Sequence, residues 1–239
     1  IVHKNKIRDD EVFKKMSFDE LFMNYNSDKA SKFILNGKRT DGHNYSPFYE
    51  KYFQKYKNKE NLKILEIGSL RGAATASFFC YFKNPQIICA DINPFQIQVF
   101  SKNIRSIYTN TQSVTILKNL SNYLNQEFDI IIDDGSHNIR DQIITFNELF
   151  KILKKDGIYV IEDSSQYLSA LHLNPDNLKY GSKEILFSLK ENNSNKTKYL
   201  SNEDQLIISN TIGNTATLFP LNSTIYLVEG IDTNGCVNT

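Results

Sequence analysis

Residues 128–142 read FDIIIDDGSHNIRDQ. An apolar run, Phe128 and Ile130 to Ile132, drives directly into Asp133, Asp134, Gly135, Ser136 and His137. Further along, GIYVIED ends a second apolar run in Glu162 and Asp163. Acids that follow buried strands cost free energy unless something compensates them, and a cation is the natural compensator. Each group also has a plain reading. Asp133 and Asp134 could cap the next helix, with one of the pair purely structural. His137 could be a polar helix-start residue, and Glu162 and Asp163 could be loop acids.

A second set lies earlier. ILEIGSLRG places Glu66 two residues before a loop that runs from Gly68 through Ser69 and Arg71 to Gly72. Gly68 permits the turn, and Gly72 is expected to let the backbone approach a ligand closely. The GxGxxG dinucleotide fingerprint is absent, which argues against NAD. Glu66 suits an ammonium group or a water network better than a pyrophosphate. Asp91, at the end of IICAD, is placed to accept hydrogen bonds from ribose hydroxyls, as in other nucleoside-binding α/β sheets. Ile92, Asn119 and Asp133 complete the candidate cofactor contacts, each read as standing at the carboxyl end of a strand or next to one.

The elements that must present these groups follow from periodicity. NLKILEIGS, PQIICADIN, SVTILKN, FDIIIDDG and GIYVIED are predicted strands, short apolar runs bounded by turn residues. AATASFFCYF, PFQIQVFSKNIRSIY and RDQIITFNELFKILKKDG are predicted helices, the last ended by Gly157. Alternating strands and helices give a mostly parallel sheet, doubly wound and Rossmann-like, in the α/β class. In such sheets ligands bind beyond the carboxyl ends of the strands, where the acids stand. Residues 1–60 are predicted as an N-terminal helical appendage, with helices capped at Ser17 and at Ser46 before Pro47. NSDKASKFILNGKRTDGHN between them reads as loop. The domain proper is predicted over 61–239. In its last part SKEILFSLKEN reads as helix, and QLIISNTIGNTATLFP and STIYLVEG as two strands, an antiparallel pair at the sheet edge.

Net charge is +1, which argues against a nucleic-acid binder. No apolar run reaches the roughly 20 residues of a membrane span. Cys80, Cys89 and Cys236 are too few and too odd in number for a disulfide framework. Cys80 and Cys89 read as buried small hydrophobes. No signal peptide is read, and a reducing, cytoplasmic setting is expected. The chain opens on Ile1, not Met, which reads as a fragment or a trimmed protein.

ILEIGSLRGAAT followed by IICADIN resembles the first motif and second strand of class I S-adenosylmethionine-dependent methyltransferases. The likeness runs from about residue 61 to 163. DIIIDDGSHNIRDQIITFNELFKILKKDGIYVIED is similar to the macrocin and mycinamicin sugar O-methyltransferases and to cephalosporin-hydroxylase-like relatives. SDKASKF…HNYSPFYEKYF also resembles their upstream region, with Ser27 where Thr is usual and a longer spacing to His43. The resemblance implies that the glycine loop wraps the methionine end of the cofactor and Asp91 holds the ribose. It implies that Asp134, Glu162 and Asp163 bind Mg²⁺ and that His137 is the general base. The chemistry is coherent. Carboxylates suit a hard divalent ion. A cation beside a hydroxyl stabilises the developing alkoxide, and imidazole exchanges protons near neutral pH.

The function expected is therefore Mg-assisted O-methyl transfer to a hydroxyl of a sugar or sugar-bearing small molecule, with a phenolic diol as a further acceptor type. The alternatives are a hydroxylase-like or other small-molecule enzyme on the same scaffold, or a non-catalytic cofactor-binding module. A homo-oligomer is compatible with the aromatic N-terminal region. His43 and Tyr45 either line a lid or pack at the sheet edge.

Overall fold

The structure is a computed structural model that describes residues 5–7, 11–163, 199–202, 205–210 and 226–230. The chain forms two compact units, 1–108 and 109–239.

The first unit opens with β1 (Asn5–Lys6), α1 (Glu11–Lys14) and α2 (Phe18–Asn24). Ser17 caps α2 as expected. Its hydroxyl accepts from the Glu20 amide at 3.3 Å, and the Glu20 carboxylate accepts from the Ser17 amide at 2.8 Å. The stretch read as loop contains a hairpin, β2 (Lys32–Leu35) and β3 (Lys38–Asp41). Asn36 and Gly37 close it with φ of 50° and 75°, the left-handed pair that matches strand twist in a two-residue turn. α3 spans Ser46–Phe53, and its cap position is Tyr45, one residue earlier than predicted. The Ser46 hydroxyl instead donates to Asp19 at 2.8 Å. Burial alone would raise the Asp19 carboxyl, but donors from Ser31 and Ser46 outweigh it and hold Asp19 below its ordinary value.

Then come β4 (Lys63–Ile67), α4 (Ala73–Tyr81), β5 (Gln86–Asp91), β6 (Val99–Phe100) and β7 (Ile104–Tyr108). β5 pairs in parallel with β4 and with β7, and β1 pairs in parallel with β6. The predicted helix over 94–108 is thus a correction: β6 and β7 lie there, and β7 is the third parallel strand. Cys80 and Cys89 are buried, as expected. Burial, with Glu66 adding, pushes the Cys89 thiol up.

An aromatic cluster joins α2 and α3 to α4. Phe18 touches the rings of Phe22, Tyr49, Phe53, Phe78, Tyr81 and Phe82, and its centroid lies 3.7 Å from that of Tyr81. Glu50 tightens the joint, accepting from the Phe18 amide at 3.0 Å and the Tyr81 hydroxyl at 2.9 Å. Phe18→Ala is expected to cost about 3–5 kcal/mol, the usual range for emptying a buried aromatic site. Urea unfolding measures it. Unchanged stability would show that the ring cluster does not hold these helices.

The second unit contains α5 (Val114–Leu124), β8 (Phe128–Asp133), α6 (Ile139–Leu149), β9 (Leu153–Ile161), β10 (Tyr199–Asn202), β11 (Gln205–Asn210) and β12 (Tyr226–Gly230). β8 and β9 are parallel neighbours, with Asp133 across from Ile161. β12 runs antiparallel to β9 and parallel to β11, and β10 runs antiparallel to β11. The start of QLIISNTIGNTATLFP, Gln205–Asn210, and Tyr226–Gly230 of STIYLVEG are strands, but the two are parallel to each other, not antiparallel, and the rest of the first run lies outside the described residues. Parallel β4, β5 and β7 in one unit, β8 and β9 in the other, and helices between strands make the Rossmann-like α/β architecture that the sequence predicts.

Two further expectations change here. SVTILKN is not a strand but the first turns of α5. Ser113 caps it, accepting from the Ile116 amide at 3.3 Å, and Leu117, Leu120 and Leu124 line its buried side. Gly157 does not end a helix. α6 stops at Leu149, and Gly157 sits inside β9, where the register jumps from Phe128↔Leu153 to Ile130↔Ile158. A Cβ there would lie 2.8 Å from the Lys154 carbonyl oxygen, so the irregularity needs glycine. The helix predicted over SKEILFSLKEN, and Cys236, lie outside the described residues.

Candidate functional site

In the first unit the cofactor candidates gather after β4 and β5. Glu66 is 1% exposed, and its carboxylate accepts the Thr75 hydroxyl from α4. Gly68 (φ 81°), Leu70 (φ 47°) and Gly72 (φ 86°) turn the loop through left-handed backbone. Asp91 fastens that loop. One of its oxygens accepts from the Leu70 amide at 2.9 Å; the other accepts from the Asn93 amide at 2.8 Å and the Gln96 side chain at 3.1 Å. Leu70 is not a glycine, so a left-handed backbone there needs support, and the Asp91 carboxylate supplies it.

Ser69 is buried, while Arg71 and Ile92 are exposed on the two loops. Gly72 has a role the sequence did not reveal. A Cβ would come within 2.5 Å of Val99 Cγ2 and 3.0 Å of Ile97 Cγ1. The glycine therefore sits tightly against the side chains under the loop. Asn119 is corrected too: it lies exposed in the middle of α5, not at a strand end.

In the second unit the metal candidates gather after β8 and β9. Asp134, His137 and Asp163 converge, with one ligating atom of each inside a 4.8 Å group. His137 Nε2 stands 3.9 Å from Asp134 Oδ1 and 4.0 Å from Asp163 Oδ2. Those gaps exceed hydrogen-bond range and admit an atom between the groups. All three residues are partly exposed. Two carboxylates and an imidazole are a donor set that fits a divalent cation, and the carboxylates favour a hard one. Glu162 is fully buried and is not one of the three. Neighbouring residues leaving a strand point in different directions, and here Asp163 is the one whose carboxylate converges with Asp134 and His137. His137 (φ 57°) and Asp163 (φ 44°) both have left-handed backbone.

Asp133 is 2% exposed. One of its oxygens accepts from the Gly135 amide at 3.2 Å, and the other has no hydrogen-bond partner among the described residues. Burial pushes its carboxyl up to about 8; the Gly135 amide opposes this, and Asp134 and Asp141 add to it. His43 donates to or accepts from the Tyr45 hydroxyl at 3.3 Å, and Tyr45 is buried, which is packing at the start of α3.

A methyltransferase-domain family matches residues 58–212, which is most of the chain and includes both sets of groups. This chain is a member of that family. Among curated relatives, the methyltransferase is 30% identical to mycinamicin VI 2''-O-methyltransferase of Micromonospora griseorubida, over 51% of this chain and 31% of the relative. It is 30% identical to demethylmacrocin O-methyltransferase of Streptomyces fradiae, over 51% of this chain and 32% of the relative. Among solved structures it resembles the MycE methyltransferase of the mycinamycin biosynthetic pathway, in complex with Mg and SAH. That match has TM-score 0.59 and 25% identity, covering 73% of this chain and 45% of MycE. The chain spans about a third of the length of these curated relatives.

The methyltransferase also uses residues that sequence reasoning passed over. Asp141 and Gln142, both 3% exposed in the first turns of α6, bond to the loops that carry the acids. Asn138 with Asp141 three residues later is a helix-start signature that could have drawn attention to them.

The raised carboxyl of Asp133 makes one prediction. A group protonated in the fold at pH values where the unfolded chain ionises it stabilises fully only at low pH. Its contribution is lost as pH rises through about 8. In chelator, Asp133→Asn is expected to melt above the wild type, by an amount that widens from about pH 4 to pH 8 and then levels. The plateau corresponds to a few kcal/mol in order of magnitude. Thermal melts across pH 4–9 measure it, and a pH-independent difference would rule out a perturbed carboxyl.

Proposed function

We propose that this methyltransferase uses S-adenosylmethionine and Mg²⁺ to methylate a hydroxyl of a sugar or sugar-bearing small molecule, with His137 as the general base. The observation that carries the reading is the convergence of Asp134, His137 and Asp163 within 4.8 Å, just past two paired parallel strands. The cofactor brings a methyl group on a sulfonium, and the cation brings positive charge to the acceptor oxygen.

The chain's own residues do the rest. Asp134 and Asp163 hold the cation. His137 Nε2 takes the proton of the acceptor hydroxyl; among the described residues its Nδ1 has no hydrogen-bond partner, whereas a histidine that ligates metal usually has that nitrogen tied by a hydrogen bond. Asp91 accepts three hydrogen bonds. A carboxylate offers about four acceptor sites, so one position suits a ribose hydroxyl. Glu66, tied to Thr75, sets an acceptor carboxyl below the glycine loop, which suits the ammonium of the methionine end. Methyl transfer in line then depends on alignment more than on any further group.

The sugar acceptor is supported by the relatives. Two further curated relatives are named as O-methyltransferases of rhamnosyl tetracenomycin-C, and MycE has been solved with Mg, SAH and mycinamycin VI. Calorimetric titration with S-adenosylhomocysteine in Mg²⁺, followed by transfer of labelled methyl to a panel of glycosides, tests the proposal. Micromolar binding and label in a glycoside support it. A folded protein that binds no S-adenosylhomocysteine overturns it.

A further inference from the structure

The geometry points to Asp141 and Gln142 as positioning residues that set the spacing of Asp134 and Asp163, and thereby the affinity for a divalent cation, and that hold His137 beside them. The inference rests on the metal reading above and adds to it the part of the chain that controls the site.

α6 begins directly after the loop that carries Asp134 and His137. Asn138 caps it, accepting from the Arg140 amide at 3.0 Å, and this fixes the first turn. Consecutive helical residues point about 100° apart, so Asp141 and Gln142 can reach different loops. Asp141 accepts the Ser136 hydroxyl at 2.6 Å, and Ser136 lies between Asp134 and His137. The Gln142 side-chain amide donates to the Glu162 carbonyl at 3.1 Å and the Asp163 carbonyl at 3.4 Å. The Glu162 amide in turn donates to the Asp133 carbonyl at 2.9 Å. One helical turn therefore braces both loops.

The loops need a brace. His137 and Asp163 hold left-handed backbone without being glycine, and such residues persist only where the surroundings over-determine them. The orientation of the Gln142 amide is settled by its neighbours. Two carbonyls face Nε2, and turning the amide over would set its oxygen against both. Removing groups that orient metal ligands typically weakens metal affinity about 10–100-fold.

The test uses the whole chain and Mn²⁺ as the probe, read by electron paramagnetic resonance or calorimetry. Gln142→Met keeps the side-chain volume and removes the donors. It is expected to weaken Mn²⁺ binding about 10-fold, with S-adenosylhomocysteine affinity in chelator unchanged. Ser136→Ala, at an exposed position that folding tolerates, is expected to weaken it by a similar factor. Asp141→Asn keeps an acceptor for Ser136 and is expected to stay near wild type, whereas Asp141→Leu is not. A purely structural role would lower the melting temperature without this pattern. Wild-type Mn²⁺ affinity in folded Gln142→Met and Ser136→Ala overturns the positioning role alone. Absence of Mn²⁺ binding in the wild type overturns the metal reading together with it.

Discussion

His137→Ala is expected to bind S-adenosylhomocysteine and Mn²⁺ close to wild type and to transfer methyl about 100–10,000 times more slowly, the usual worth of a positioned general base. The reasoning is geometric. Asp134 and Asp163 supply the charge that holds a cation, and the glycine loop and Asp91 belong to the cofactor side. Among the described residues at this spot, His137 carries a ring nitrogen, Nε2, about 4 Å from both carboxylates and placed to receive a hydroxyl proton. Single-turnover assays with saturating cofactor separate transfer from binding. Added imidazole is expected to restore part of the rate. Full turnover in the variant would remove His137 from the mechanism and leave it as a ligand or a loop residue.

Asp134→Asn is expected to lose divalent-cation binding by about 100-fold, because affinity at oxygen sites follows ligand charge. Asparagine keeps the shape and can still cap the loop, so the fold should persist. Binding of S-adenosylhomocysteine should survive, since its candidate contacts are on other loops. Transfer should fall with cation binding and recover partly at high Mg²⁺. Mn²⁺ titration and rate measurements against Mg²⁺ concentration check both points. Unchanged cation affinity would move the metal away from Asp134, and the acid would revert to a helix-start residue.

Much of this was legible in the sequence because strand ends announce themselves. Apolar runs that stop at Glu66, Asp91, Asp133 and Ile161 are pinned by burial, and the acids fall where the runs end. What misled was period. Ile97, Phe100, Ile104 and Ile107 happen to recur at helical spacing, yet Ile104–Tyr108 pairs with β5. The ladder on offer beside β5 outweighed the local pattern. The reverse error came from stopping the window at Asn119, which cut off Leu120 and Leu124 and hid a helical face. The Asn36-Gly37 pair was a hairpin signal left unused.

The site was legible in its residue types and not in its bonds. Asp134, His137 and Asp163 were singled out by type and place. Nothing in a linear chain says that Asp163 joins the group and Glu162 does not, because that depends on one left-handed residue at the end of β9. The crowding at Gly72 could not be read from the chain, because it comes from Val99, in a segment whose own structure was misread.

The order of strands in the second unit has a consequence for synthesis on the ribosome. β12 fills the place beside β9, yet about 65 residues separate Ile161 from its ladder partner Tyr226. At roughly 5–20 residues per second, the growing chain spends several seconds with β9 made and its outer edge bare. A bare edge of apolar residues invites pairing with other nascent chains. The length of that interval is set by where β12 lies in the gene, and a message truncated before it would yield a chain without the strand that pairs with β9 on that side.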